Sequence, residues 1–214
     1  MSVTNRSFGR VCEPTWENRT VYLIGGGPSL KGFDLERLRG CTTVAVNDSA
    51  LHAPWTATAL FSLDRKWMSE RRETIQAFSG EVYLAVADDF SFDEATSNAT
   101  YLLRQRNSVG LSTDPGVIHM GGGNSGFGAF NLAFLKRARK IVLLGYDYRN
   151  AHYHWFKDYP WSRPGSSTHS ALYGNWAKQF SYCAGQLRGV TVLNASATSA
   201  ITAFPKITLE SIPL

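Results

Sequence analysis

Short β-branched and apolar runs alternate along this chain with segments of helical spacing, and most of the runs halt at glycine, asparagine or aspartate. Thr20–Ile24 stops at three glycines and reads as a buried strand ending in a tight loop. Asp34–Leu38 reads as a short helical segment, Thr42–Val46 as a second strand ending at Asn47-Asp48, and Thr58–Leu63 as a third ending at Asp64. Lys66–Phe78 has helical character, and Glu81–Ala87 is another strand. Residues 88–119 are the least legible, with Asp88-Asp89, scattered polar residues and a strand near Val117–Met120. A second glycine cluster, Gly121-Gly122-Gly123, then leads through Asn124-Ser125-Gly126 into a helix. Its Phe127, Phe130, Phe134 and Leu135, with Ala138, fall mostly three or four apart. Asn124 or Ser125 is its natural N-cap. Lys140–Leu144 is a strand ending at Gly145-Tyr146-Asp147. Residues 148–168, rich in aromatics, His, Pro, Ser and Gly, read as a lid or insert. Ser170–Leu187 reads as a helix and Val190–Leu193 as a last strand. This alternation predicts one α/β, Rossmann-like domain over residues 1–214, with a mostly parallel sheet and helices on both faces. Strand order is not written in the pattern.

Composition agrees with a folded core. The 214 residues suit one domain, which at this size buries roughly 70% of its unfolded surface. Hydrophobic residues make up 43% and charged residues 18%, a globular rather than disordered balance. The longest apolar runs, such as Val21–Ile24 and Ile141–Leu144, fall far short of the ~20 residues of a membrane span. Met1–Glu13 is polar and lacks the apolar run of a signal peptide, so the cytoplasm is the expected compartment. Three well-separated cysteines, Cys12, Cys41 and Cys183, suggest neither a disulfide framework nor a zinc site. The net charge of +5 favours anionic ligands and is compatible with nucleic acid, but no dense Lys/Arg run favours nucleic acid.

Ligands of such sheets bind beyond the carboxyl ends of the strands. Polar groups collect at four of those ends: Gly25-Gly26-Gly27-Pro28-Ser29, Asn47-Asp48, Asp64 and Tyr146-Asp147. Glycines in the first loop let the backbone approach a ligand, and its amides can point at phosphate oxygens. Pro28 stiffens the loop and Ser29 adds a hydroxyl. It departs from the dinucleotide fingerprint, having Leu30 where a glycine is required, and no Gly-Lys-Ser/Thr follows to make a P-loop. A nucleotide phosphate is the expected ligand; a plain tight turn is the alternative. The second cluster opens a helix N-terminus, which also favours anions. There Asn124 and Ser125 act as caps alone or also touch ligand. Asp48, Asp64 and Asp147 would hold Mg²⁺ together only if their strands are adjacent, and otherwise cap turns. Among His152, His154 and His169 a general base is a better reading than zinc, with a surface histidine as the alternative. The aromatics Tyr146, Tyr148, Tyr153, Trp155, Tyr159 and Trp161 either stack on a base or sugar or form a small core beneath a lid.

Val21–Leu30 followed by Val44–Asp48 resembles the opening of the family-42 bacterial sialyltransferases. It also resembles that of the MptE-like family (domain of unknown function 115), which includes the archaeal 6-hydroxymethylpterin diphosphokinases. Asn124-Ser125-Gly126 through Leu143–Asp147 resembles the second block of both. Val192–Ser196 to Ala203–Lys206 is similar to the tail of short phage-encoded MptE-like members. The resemblance implies a Rossmann-like fold with a nucleotide in the crevice. In the sialyltransferases the roles of cytidine-nucleotide binding would fall on Gly25, Gly27 and Asn47, with Ser125 and Gly126 beside the ligand. The lid base would be His169, and the lid tyrosines at the leaving phosphate Tyr153 and Tyr159. The sequence departs from those families in two places: Gly26 stands where many sialyltransferases have Asn, and only Asp64 remains of the diphosphokinases' acidic metal motif.

The leading expectation is a transferase of sialyltransferase type, taking a nucleotide-sugar donor and a small-molecule or glycan acceptor and requiring no cofactor. Its alternatives are a pyrophosphokinase using ATP and Mg²⁺ through Asp64 and Asp147, and a non-catalytic phage protein that sequesters a nucleotide in the host cytoplasm. A DNA-modifying role is the least favoured, and homo-oligomerisation is left open.

Overall fold

Eight short strands pair side by side: β1 (Thr20–Ile24), β2 (Thr42–Val46), β3 (Ala59–Ser62), β4 (Glu81–Val86), β5 (Ala99–Gln105), β6 (Val117–His119), β7 (Lys140–Leu144) and β8 (Thr191–Asn194). The computed structural model describes residues 9, 15–53, 57–90, 96, 98–149, 154–156 and 167–214, the side chains of 167–170 excepted. The strand order is β6-β5-β4-β3-β2-β1-β7-β8, and every pairing is parallel. This is the α/β, Rossmann-like architecture read from the sequence, with the parallel pattern complete. Central strands are apolar throughout because both sheet faces are covered; all five residues of β2 are buried.

The chain steps outward from β1 to β6, then returns through helix α4 (Ser125–Leu135) to β7, on the other side of β1. The strand order therefore reverses between β1 and β7, the position at which sheets of this kind place a ligand crevice.

Alternating side chains feed two cores. Val21, Leu23, Ile141 and Leu143 pack with Phe127, Phe130 and Phe180 on one face. Tyr22, Ile24, Val142 and Leu144 pack with Leu30, Leu35 and Leu38 on the other. Farther along that second face, Leu60, Val82 and Leu84 meet Trp67, Met68 and Ile75 of α2 (Arg65–Glu70) and α3 (Arg72–Ala77). Helix α1 (Ser49–His52) follows β2 directly. Nine of the eleven residues of α4 are buried, so this helix runs through the core rather than over it. Gly128 lets it approach β3, for a Cβ there would stand 2.6 Å from the Phe61 ring. At the end of α4, Lys136 is fully buried. It donates to Glu81 at 2.9 Å and to the Tyr83 hydroxyl at 2.8 Å, far from the carboxyl ends of the strands.

Four segments differ from the sequence expectation. The helix over 66–78 is broken at Arg71, where ψ turns to 26° and the guanidinium reaches Asp48. Strand β5 lay hidden in the illegible stretch; its burial pattern is fully buried only at Tyr101 and Leu102, too short an apolar run to stand out. The helix placed over 170–187 is α5 (Ser167–Gln179) followed by a 3-10 segment, Phe180–Gln186. Asp34–Leu38 is a 3-10 turn, Leu35–Leu38, capped by Asp34.

Phe130 is fully buried between Phe127, Phe180 and Phe204. Phe130→Ala is expected to lower unfolding free energy by about 3–5 kcal/mol, measured by denaturant titration. A loss below about 1 kcal/mol would show that the aromatic cluster is not the core it looks to be.

Candidate functional site

The loops that leave β1 and β7 are tied together at the crevice. Ser29 donates to Asp147 Oδ2 through its hydroxyl, at 2.8 Å, and through its amide, at 3.3 Å. The Ser29 hydroxyl also lies 2.9 Å from that of Ser196, just after β8, and Ser196 Oγ accepts the Tyr146 amide at 3.0 Å. Burial pushes the Asp147 carboxyl above its ordinary value, and the Ser29 hydrogen bonds pull in the opposite direction.

The glycines of the first loop are required by close packing. A Cβ on Gly27 would collide with the Asp147 carboxylate and stand 2.5 Å from the Gly145 carbonyl. One on Gly26 would stand 2.6 Å from His154 Nδ1, and one on Gly25 2.8 Å from the Gly145 carbonyl. The loop amides are largely consumed: Gly25 donates to Leu144 O, Gly27 to Gly145 O, and Ser29 to Asp147. Pro28 has no amide to offer. The amide of Gly26 makes no hydrogen bond among the described residues, so the loop offers an anion one donor rather than the several its composition suggests.

Asn47 follows β2 next to this loop. Its backbone is left-handed, φ 52°, a conformation asparagine tolerates better than most residues. Its side-chain Oδ1 is buried and has no hydrogen-bond partner among the described residues. A buried acceptor left unpaired is costly unless a ligand or water completes it. The neighbouring Asp48 turns the other way. Its carboxylate accepts from Trp67 Nε1 at 2.6 Å and pairs with Arg71 at 3.0 Å.

Residues 154–156, within the segment read as a lid, lie on the glycine loop. His154 Nδ1 is 3.0 Å from the Gly26 carbonyl, the Trp155 amide donates to the same oxygen at 3.1 Å, and Trp155 Nε1 donates to the Gly25 carbonyl at 2.9 Å. Phe156 stacks on His154 at 5.1 Å and on His52 at 4.6 Å between ring centroids. Burial lowers the His154 pKa below its ordinary value, against the raising effects of the Gly26 contact and Asp48. The neutral ring is thus the favoured form.

The start of α4 forms another wall. Asn124 Oδ1 caps the helix by accepting the Gly126 and Phe127 amides, and its Nδ2 donates to the Tyr148 hydroxyl at 2.8 Å. Ser125 Oγ accepts the Leu63 amide. Tyr146 is buried, its hydroxyl donating to the Gly126 carbonyl; it serves the core instead of offering a stacking face. Asp64 caps α2, accepting the Lys66 and Trp67 amides. Helix α5 comes close through Trp176, which donates to the Gly122 carbonyl at 2.9 Å and packs edge-on against Tyr148. His169 occupies the first turn of α5. Tyr153 and Tyr159 lie outside the described residues.

Several contributors escaped the sequence reading. Ser49 donates to the Gly25 carbonyl at 3.1 Å, Ser196 joins three loops, and Ser199 donates to the Tyr146 carbonyl. His52 completes the ring stack with Phe156 and His154. The polar Asn194-Ala195-Ser196 at the end of the last strand was the one available signal for Ser196. Among the described residues no group of His, Cys, Asp and Glu could hold a metal ion, and no helix is long and apolar enough to cross a membrane.

No protein-family model matches the chain, and no curated protein matches it either. Solved structures do. The MAf glycosyltransferase from Magnetospirillum magneticum AMB-1 matches with a TM-score of 0.63 at 11% identity, over 97% of this chain. This chain spans only 36% of that protein. The sialyltransferase CstII from Campylobacter jejuni, in complex with cytidine-5'-monophosphate, matches with a TM-score of 0.53 at 14% identity, covering 89% of this chain and 85% of CstII. The CstII complex with CMP-3FNeuAc matches with a TM-score of 0.50 at 12% identity, over 92% and 89% of the two chains. At these identities the shared property is the fold.

Gly27→Ala is expected to destabilise the protein by about 1–3 kcal/mol. Gly174→Ala, whose Cβ would meet nothing within 4 Å, should instead gain up to about 1 kcal/mol by raising helix propensity. Denaturant titration separates the two, and equal effects would show that the loop glycine is not required by packing. His154 gives a pH signature. Its pKa is lowered on folding, so its contribution is fully present above the ordinary imidazole value of 6.5 and is lost as pH falls through the lower folded value. Wild type should therefore lose stability relative to His154→Gln across that acid window. A difference independent of pH would contradict a buried neutral ring.

Proposed function

We propose that this chain is a glycosyltransferase of sialyltransferase type, binding a cytidine-nucleotide sugar in the crevice between β1 and β7. The observation that carries the reading is the pairing of two unfilled groups at that crevice. One is the Gly26 amide, a donor for a phosphate oxygen. The other is the buried, unpartnered Asn47 Oδ1, an acceptor for a ribose hydroxyl or a base amino group. The fold shared with a sialyltransferase solved with cytidine-5'-monophosphate supports the choice of nucleotide.

In this reading Gly25, Gly27, Pro28 and Ser29 give the loop its shape, and Asp147 locks that shape. Asp48, Asp64 and Tyr146 hold the surrounding strand ends, while Asn124, Ser125 and Gly126 present the start of α4 to the ligand. His169 takes the proton of the acceptor hydroxyl as that oxygen attacks the anomeric carbon. The bond to the nucleotide phosphate breaks, and the nucleotide leaves with the electron pair. Tyr153 and Tyr159 would donate to the leaving phosphate, and the lid would exclude water. The pyrophosphokinase reading asks Asp64 and Asp147 to share one Mg²⁺. They follow β3 and β7, three strand spacings apart in the sheet, about 14 Å, whereas each ligand sits ~2.1 Å from the ion.

The test begins with thermal shifts from cytidine, uridine, adenine and guanine nucleotides, each with and without Mg²⁺. A cytidine nucleotide at 100 times its dissociation constant should add ~2.7 kcal/mol of stability, with or without the metal. If no nucleotide shifts the transition at millimolar concentration, the reading fails. With donor and acceptor in hand, His169→Ala should lower turnover ~10²–10⁴-fold and leave nucleotide affinity nearly intact. Unchanged turnover removes His169 as the base, and the same loss in His154→Ala alone would move the role to the imidazole on the glycine loop. Binding without turnover of any donor would favour a sequestering protein.

A further inference from the structure

The carboxyl ends of β4 and β5 border a second hollow, shallow and partly open to solvent, that the nucleotide crevice does not use. Arg65, at the start of α2, and Arg104, in β5, line it together with Met68, Phe90 and Asp89. Arg104 donates one guanidinium N–H to the Leu63 carbonyl at 3.0 Å. Its Nε is buried and has no hydrogen-bond partner among the described residues. Arg65 makes no ion pair among the described residues, and neither arginine is bridged to Asp89. Arg65, Arg104 and Arg106 outnumber Asp89 and Asp64 here, which leaves the hollow positive. Burial, with Arg106 and Arg65 nearby, holds the Arg104 pKa below its ordinary value, and Asp89 and Asp64 offset this only in part.

We propose that this hollow is an oxyanion subsite in which Arg65 and Arg104 bind a carboxylate or phosphate carried by the acceptor. A guanidinium presents paired donors in a plane that matches either group. An incoming oxyanion would also complete the unpaired donor that folding leaves on Arg104. Leu63 links the hollow to the first site: its amide donates to Ser125 at the start of α4, and its carbonyl accepts from Arg104. Strand β4 lies three strand spacings from β1, about 14 Å. An acceptor anchored in the hollow by its charge would extend toward the crevice along the carboxyl edge of the sheet. The inference rests on the glycosyltransferase reading only for what carries the anion; the subsite itself stands on the two arginines.

The experiment is an NMR titration of the full chain with inorganic phosphate and, separately, with glucuronate, following backbone amides. The expected result is a saturable shift of Arg65, Met68 and Phe90 at millimolar anion, weakened about tenfold by Arg104→Gln or Arg65→Gln, with cytidine-5'-monophosphate affinity unchanged. The Arg65 side chain makes no hydrogen bond among the described residues, so Arg65→Gln keeps the test valid should Arg104→Gln unfold. Phosphate binding alone assigns the hollow to a phosphoryl group, and glucuronate binding alone to a sugar carboxylate. Overturning results are no shift at these residues at tens of millimolar of either anion, shifts confined to Gly26 and its neighbours, or affinities indifferent to both substitutions. Loss of nucleotide binding with the anion site intact would remove the carrier but not the subsite.

Discussion

The carboxylate of Asp147, held by both donors of Ser29, is the contact on which the site depends. The two residues are 118 positions apart in the chain and meet because β1 and β7 are neighbours in register, Ile24 opposite Leu144. The carboxylate is buried, a position that costs solvation and is tolerable only with hydrogen bonds supplied. Ser29 supplies two of them, and the Ser29 hydroxyl in turn meets Ser196. Three loops from three strands therefore share one polar knot. The absence of a side chain on Gly27 is what lets the knot close.

This knot changes how the glycine-rich turn works. A phosphate-binding loop is usually pictured as a ring of free amides around an anion. Here Gly25, Gly27 and Ser29 spend their amides on the protein, and the carbonyls of Gly25 and Gly26 are engaged from outside by Ser49, Trp155 and His154. Recognition by so rigid a loop would come from few groups in fixed places, the Gly26 amide and Asn47 Oδ1, rather than from a flexible wrap. Residues 154–156 contribute to the same economy, for the His154–Phe156–His52 stack rests on the loop.

Much of the fold was legible in the pattern of residues, and the reasons for the exceptions are physical. β1, β2 and β7 were placed to the residue or nearly so because strands buried on both faces read as unbroken apolar runs. β5 was missed because it is half-exposed and ends in Arg104 and Gln105, so its pattern resembles a loop. The helix break at Arg71 has no breaker residue to announce it; the pull comes from Asp48, 23 positions earlier. Of the strand ends that the sequence singled out, Gly25–Ser29 and Asp147 meet, and Asn47 follows the neighbouring strand β2. It did not show that Asp48 turns to Trp67 and Arg71 or that Asp64 caps α2, nor that Tyr146 is a core residue. Those distinctions turn on which way a side chain points after a strand ends, and a single residue of register decides that.

The central claim is that the crevice at β1 and β7 is built for a nucleotide. A crystal structure of the chain grown with saturating cytidine-5'-monophosphate tests it most directly. The expected result is a nucleotide bonded to the Gly26 amide and to Asn47 Oδ1, with the Ser29–Asp147 contact intact. An unoccupied crevice, or a nucleotide seated elsewhere on the protein, would contradict the account.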